Sequence, residues 1–338
     1  MTDAHWSDPG AYPVAPGVHR IPLPLPMDGL RAVNVYVIET DQGLTCVDGG
    51  WAIEVSRSLF EESLASLGHH PRDVTSFLVT HVHRDHYTQA VALRSEFGRA
   101  TVSLGLGDKP TLDMIFDDDI HADPTVARLT LIGAPELADE WSKWISGSAP
   151  DRSVWLPPDT WLTGDTTIMV GERTLDAVST PGHTQGHYVY ADRAAGLLFA
   201  GDHVLPTITP SVGFEPVYAE LPLHDYLESL VKMRGLPDLR LLPAHGAVTG
   251  STHARVDELL AHHDHRLDLC LAAIAPGGST SYDVAKLLPW TRHDKSLADL
   301  DLFNSGMAAM ETMVHLDLLV ARGQLIRTDT DGVAVYTR

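Results

Sequence analysis

The chain is short of the residues that define several protein classes. Two cysteines in 338 residues, Cys46 and Cys270, exclude a disulfide framework and a four-thiolate zinc site. Cys46 lies in the apolar run Leu44-Thr45-Cys46-Val47 and Cys270 in a helical pattern, so both read as packing residues. No apolar run approaches the ~18 residues that cross a membrane. The N-terminus lacks the basic-then-apolar order of a signal peptide, so a soluble, cytoplasmic protein is expected. Basic residues are scarce as well: 24 Lys+Arg stand against 45 Asp+Glu, a formal net charge of −21. Such a chain repels phosphate backbones, which counts against nucleic acid as its partner. Charged residues make up 20% and apolar ones 44%, enough to build a core and exclude wholesale disorder. What the chain does have is histidine, 19 of them, and the question is whether some bind metal.

The pattern of elements predicts an α/β start followed by a helical end. Residues 1–30 are Pro-rich and read as an extended arm. Strands are expected at Asn34–Thr40 and Leu44–Asp48, joined by the turn Asp41-Gln42-Gly43, then a helix over Ala52–Leu67 closed by Gly68. Phe77–Thr80 reads as a buried strand, Thr88–Phe97 as a helix and Ala100–Leu104 as a strand. Residues 105–160 break the rhythm with two or three helical patterns, the acidic run Asp117-Asp118-Asp119 and the aromatics Phe116, Trp141, Trp144 and Trp155. That stretch is too long for an ordinary connection and reads as a helical insertion or lid. Strands resume at Thr167–Val170, Thr174–Ser179, Tyr188–Asp192, Leu197–Ala200 and Leu239–Leu242. Residues 251–338 then carry helices at Val256–Ala275, Tyr282–Leu288 (capped by Ser281) and Ser305–Ala321, ending in a β-ribbon. Three helices and a ribbon predict a winged-helix domain after a first domain at 1–250.

The strand at Phe77–Thr80 runs into His81-Val82-His83-Arg84-Asp85-His86. Alternate residues at a strand end point the same way, so His81 and His83 can grip one ion. Asp85 and His86 turn with the chain and can face a second. Nitrogen and carboxylate donors of this kind suit zinc, with manganese and iron as alternatives. Three further groups follow later strands: His183 in Pro181-Gly182-His183-Thr184, Asp202 in Ala200-Gly201-Asp202, and His245 in Pro243-Ala244-His245-Gly246.

In kind and order these residues resemble the metallo-β-lactamase-fold hydrolases, and Asp48 in Val47-Asp48-Gly49-Gly50 matches that family's early aspartate. The resemblance covers residues 18 to 250 and implies an α+β fold, a four-layer αββα sandwich with the site at one edge. It implies that His81, His83 and His183 hold a first divalent ion and Asp85, His86 and His245 a second. Asp202 would bridge them, and Asp48 would orient a ligand histidine. Two departures stand out: Tyr87-Thr88-Gln89 follows His86 where relatives carry small residues, and His183 lies 97 positions after His86. Both are expected to reshape the pocket wall.

Two such ions would share a water and bring its pKa towards neutrality. The resulting hydroxide would attack an acyl or phosphoryl centre, with Asp85 as ligand and proton acceptor. The family's lactamases generally have cysteine or serine where this chain has Asp202. An aspartate there resembles the glyoxalase II-like thioesterases and the phosphodiesterases. A thioester or ester of a small molecule is therefore the expected substrate, with a metal-dependent phosphodiesterase or endoribonuclease as the alternative. A structural, non-catalytic metal site is the third reading. Residues 251–338 hold eight basic and twelve acidic residues, net −4, which argues against RNA. Met307, Met310, Met313, Val314, Leu318 and Leu319 make the third helix apolar, so it is expected to pack on the core or in a homodimer. His203, beside Asp202, is a candidate substrate contact or proton donor. Tyr87 and Trp51 are either pocket lining or packing. His262, His263 and His265 read as a solvated helix face before a third metal site.

Overall fold

Alternation along one strand explains how the layers form. In β3, Val33, Val35 and Val37 face one way and join a core with Phe60, Leu64, Tyr87 and Val91 from helices. Tyr36 and Ile38 face the other way and meet Leu175, Tyr190 and Phe199 of a second sheet. A strand buried on both faces belongs in the middle of a layered structure. The protein is described by a computed structural model for residues 5–26, 29–117, 123–146, 151–217, 219–291 and 293–338.

The first elements are β1 (Tyr12–Ala15), β2 (Val18–Pro24), β3 (Ala32–Thr40), β4 (Gly43–Val47), α1 (Glu54–Ser66), β5 (Val74–Leu78), α2 (Arg84–Phe97) and β6 (Thr101–Gly105). Three helices follow, α3 (Lys109–Phe116), α4 (Pro124–Leu131) and α5 (Pro135–Ile145), then β7 (Thr160–Leu162). The second sheet comes from β8 (Thr166–Val170), β9 (Arg173–Ser179), β10 (Tyr188–Asp192), β11 (Leu197–Gly201) and, after α6 (Pro222–Arg234), β12 (Arg240–Pro243). The chain ends with α7 (Thr252–Ala272), β13 (Ser279–Thr280), α8 (Ser281–Leu287), α9 (Leu302–Ala321), β14 (Ile326–Thr330) and β15 (Val333–Thr337). No helix among the described residues is long and apolar enough to cross a membrane. Both cysteines are buried and free.

Two compact units emerge, and they do not follow the expected cut at residue 250. The first unit, residues 1–116, 151–210 and 229–256, holds a seven-stranded sheet in the order β1 to β7 and a five-stranded sheet in the order β12-β11-β10-β9-β8. Helices α1 and α2 pack on the outer face of the larger sheet. The C-terminal part of α6 bonds to the smaller one, with Lys232 Nζ donating to Ser179 O at 2.9 Å and Ser229 Oγ to Pro181 O at 2.9 Å. The Pro-rich start is extended, as expected, and is built into the larger sheet. Its prolines sit in or beside β1 and β2, and β2 pairs along its whole length with β3.

The second unit gathers residues 117–150, 211–228 and 257–338. Trp141 of α5 stacks on Phe303 of α9 at 5.8 Å, with Phe214 edge-on at 6.1 Å. Arg128 of α4 donates to the carbonyls of Gly213, Glu215 and Pro216. Stretch 105–160 is therefore not one lid. Its outer parts, α3 and β7, belong to the first unit, while α4 and α5 share a core with the C-terminal helices. Asp118 and Asp119 of the acidic run lie outside the described residues. Thr280, not Ser281, caps α8; its hydroxyl accepts from Asp283 N, while Ser281 Oγ turns inward to Ala309 O at 2.8 Å. The apolar face of α9 is buried through Met310, Met313, Val314, Leu318 and Leu319, and β13 adds a third strand beside the β14–β15 ribbon.

Candidate metal centre

Strands β4, β5, β11 and β12 end where the chemistry collects, as ligand sites do at the carboxyl ends of parallel strands. Asp48 follows β4, residues 80–86 follow β5, Asp202 follows β11 and His245 follows β12. His183 comes from the β9–β10 turn. The strand expected at Phe77–Thr80 stops at Leu78, so His81 and His83 sit on a loop rather than a strand end. Helix α2 starts at Arg84, four residues earlier than the sequence suggested, which places Asp85 and His86 in its first turn.

All seven expected ligands come together. His81, His83 and His183 form one trio, with His83 Nδ1 2.9 Å from His81 Nε2 and 3.1 Å from His183 Nε2. Asp85, His86 and His245 form another. Asp85 Oδ2 lies 3.6 Å from His86 Nε2 and 3.4 Å from His245 Nε2. Asp202 stands between the trios: its Oδ2 is 3.6 Å from His183 Nε2, and its Oδ1 is 3.7 Å from His86 Nε2 and 3.4 Å from His245 Nε2. The edge of a tetrahedron with zinc–nitrogen bonds of about 2.0–2.1 Å is about 3.4 Å, close to these separations. His86 Nε2, His245 Nε2 and Asp202 Oδ1 are buried and make no hydrogen bond. Converging buried lone pairs of this kind are costly unless a cation sits among them, so the donor set fits a divalent metal. His83 and Asp85 are only half-buried, and the centre opens to solvent on their side.

The ring orientations are fixed from behind. His86 Nδ1 donates to Asp48 Oδ2 at 2.9 Å and His245 Nδ1 donates to Ala32 O at 2.8 Å, so Nε2 of each faces the centre. Asp48 itself holds a left-handed conformation, φ 63°, and its Oδ1 accepts from the amide and hydroxyl of Thr80 at 2.8 and 2.9 Å. Burial opposes charge on His86 and His245. The carboxylates of Asp48, Asp85 and Asp202 around His86, and of Asp202 and Asp85 beside His245, outweigh it and push both up to about 9. Burial likewise opposes charge on Asp202, but His245 and His86 hold it well below the usual carboxylate range. Burial first, and the neighbouring imidazoles second, keep His81 neutral, the form that binds metal.

Two supporting residues escaped the sequence reading. His187 is fully buried; its Nε2 accepts from Asp202 N at 3.1 Å, and its Nδ1 faces Thr180 Oγ1 at 2.9 Å. Gly201 permits this approach, since a Cβ there would meet His187 Nε2 at 2.8 Å. Asp108 is also buried and ties two ligand loops together: Oδ2 accepts from Val82 N at 2.9 Å and Oδ1 from Gly186 N at 2.7 Å. The only sequence signal for His187 was its position four residues after His183, and for Asp108 there was none.

Other expectations change. His203 is wholly buried, and burial pushes it down to about 3, which favours the neutral imidazole near pH 7 and works against the expected role of proton donor. Tyr87, Thr88 and Gln89 are held within the fold. All three are buried: Tyr87 donates to Leu156 O, Thr88 Oγ1 accepts from Ala52 N, and Gln89 Nε2 donates to Gly49 O. Trp51 is half-buried beneath Arg84, whose guanidinium lies 4.3 Å from its ring centroid. His263 is buried rather than solvated, whereas His262 and His265 are exposed.

Residues 28–245 match the family model of the metallo-beta-lactamase superfamily. The chain belongs to that superfamily, whose members are metal-dependent hydrolases. A beta-lactamase domain protein from Burkholderia ambifaria is similar in structure, with TM-score 0.82, 28% identity, and coverage of 100% of this chain and 96% of that one. In sequence the chain is 34% identical over 99 residues to the beta-lactamase-like protein 2 homolog of Caenorhabditis elegans, 29% of this chain and 31% of that protein. It is 33% identical over 132 residues to a hydroxyacylglutathione hydrolase of Bartonella henselae, 39% of this chain and 47% of that enzyme. The chain thus spans less than half the length of either of these two curated relatives.

Proposed function

We propose that this chain hydrolyses a thioester or ester of a small molecule at a centre of two divalent ions, zinc before manganese or iron. The observation that carries the reading is Asp202, whose two oxygens face the two trios separately. His81, His83 and His183 would hold one ion, Asp85, His86 and His245 the other, and Asp202 would bridge. When bound, such a pair supplies an acidified water and polarises the acyl oxygen. Asp85, half-buried at the open side, would accept the proton of the attacking water or orient it. Asp48, His187 and the Ala32 carbonyl hold their partners in place, so little reorganisation is needed during the reaction. The similarity to a hydroxyacylglutathione hydrolase supports an acyl substrate over a phosphodiester, and so does the net charge of −21, which repels polyanions.

The test is a screen of acyl thioesters, esters, lactones, phosphodiesters and single-stranded RNA, with metal content measured on the same preparation. Turnover of thioesters or esters, about two ions per chain and loss of turnover in Asp85→Ala are expected. Hydrolysis of phosphodiesters alone would overturn the reading.

A further inference from the structure

The first unit carries a concavity whose lining includes none of the seven candidate metal ligands, about 510 Å³ in volume, with walls that include Trp6, Tyr12, Val14, Arg20, Arg240 and Val248. Its chemistry runs against the rest of the chain. In a protein of net charge −21, two guanidinium groups line one cleft, and among the described residues neither meets a carboxylate. Arg20, 8% exposed, donates through Nη1 to the Trp6 carbonyl and to Asn34 Oδ1, and lies 4.9 Å from the Tyr12 ring centroid. Arg240 donates to Val14 O at 2.6 Å.

Arg20 is held rigidly. The amide of Asn34, its anchor, donates to Pro243 O and Gly246 O at 3.0 and 2.9 Å. A buried guanidinium bonded only to neutral oxygens retains an uncompensated charge, which an incoming anion would relieve. Planar guanidinium forks match a carboxylate, and the aromatic and valine walls match a flat apolar body. The volume falls in the range of about 300–1,000 Å³ common to small-molecule sites. We infer that this cleft binds an organic acid, with its carboxylate on Arg20 and Arg240 and its ring against Trp6, Tyr12 and Val248.

The metal-loaded protein, titrated calorimetrically with benzoate, benzamide and inorganic phosphate, tests this. Benzoate should bind saturably, and benzamide and phosphate at least about tenfold more weakly, one lacking the charge and the other the ring. Arg240→Gln and Val248→Trp should each weaken benzoate by at least about tenfold. Val248→Trp fills the cleft without removing a hydrogen bond, and unchanged melting of either variant establishes that it folds. Benzoate held by metal ions instead would survive both substitutions, and that result would overturn the inference. Equal binding of benzamide or phosphate, or no saturable heat up to about 10 mM benzoate, would do the same.

Discussion

Replacing Asp48 by asparagine preserves its shape and the tolerance for a left-handed φ, yet should disable one metal ligand. The carboxylate accepts from Thr80 N and Oγ1 on one side and from His86 Nδ1 on the other. The Thr80 amide can only donate, so the single oxygen of an asparagine must face it, leaving the NH2 group against His86. Facing a donor, Nδ1 must give up its proton, and the imidazole then carries it on Nε2. That is the atom 3.6 Å from Asp85 Oδ2 and 3.7 Å from Asp202 Oδ1, and a protonated nitrogen binds no cation. Loss of such an orienting partner typically costs about 10–100-fold in metal affinity, or about 1.4–2.7 kcal/mol. Competition against a chromophoric chelator at fixed pH would measure it. The affinity of the Asp85–His86–His245 trio should fall by about that factor, with the three-histidine trio changed by only a few-fold. Wild-type affinity at both, or equal loss at both, would refute the tautomer argument.

Metal uptake should depend on pH with a definite sign. His86 and His245, both raised to about 9, are protonated at neutral pH without metal. Binding should therefore release about two protons near pH 7, measurable with an indicator dye, and affinity should climb as pH rises towards 9. In the second unit, His263 Nδ1 lies 3.1 Å from His315 Nε2, and both rings are buried near Tyr226, His262, Arg266 and Glu311. Burial holds His263 well down and His315 at about 3, so their stabilisation is complete above pH 6.5 and is lost as pH falls towards 3. At pH 5 the His315 share of that loss is about 2 kcal/mol, and thermal melts of wild type against His315→Leu should show a flatter acid limb in the variant. Asp108→Asn would set an NH2 against either Val82 N or Gly186 N. The melting temperature and metal affinity should fall together, with about 1–3 kcal/mol lost; a fall in neither would dismiss the strut.

The candidate ligands could be picked out because each stands beside residues with a plain meaning: a buried strand before His81, and small turn residues around His183, Asp202 and His245. The order of strands was legible too, since period-2 alternation survives even in β3, buried on both faces. Loop chemistry was not. His83 to His86 read as a turn because nothing in Arg84-Asp85-His86 announces a helix start, and His83 caps α2 without a side-chain bond. The two-unit division was hidden because Trp141 and Phe303 are 162 positions apart, and no local pattern says that they stack. Asp108 and His187 were hard to find for the same reason, since the amides they accept from, those of Val82, Gly186 and Asp202, are brought close only by folding. At the N-terminus proline announced an extended segment but hid its pairing, since β1 and β2 place their prolines without losing the β2–β3 ladder.

Crowding imidazoles around a cation site invites surplus loading, and His187 shows how this chain limits it. Its ring stacks on His81 at 5.0 Å, near enough to compete for an ion. Yet one nitrogen takes the Asp202 amide and the other meets Thr180, so seizing a further ion there would strip a backbone bond from the aspartate that lies between the two trios. The hydrogen bond acts as a quota. On the two-ion reading proposed above, a zinc titration should therefore end sharply instead of trailing into weaker, adventitious uptake at this histidine.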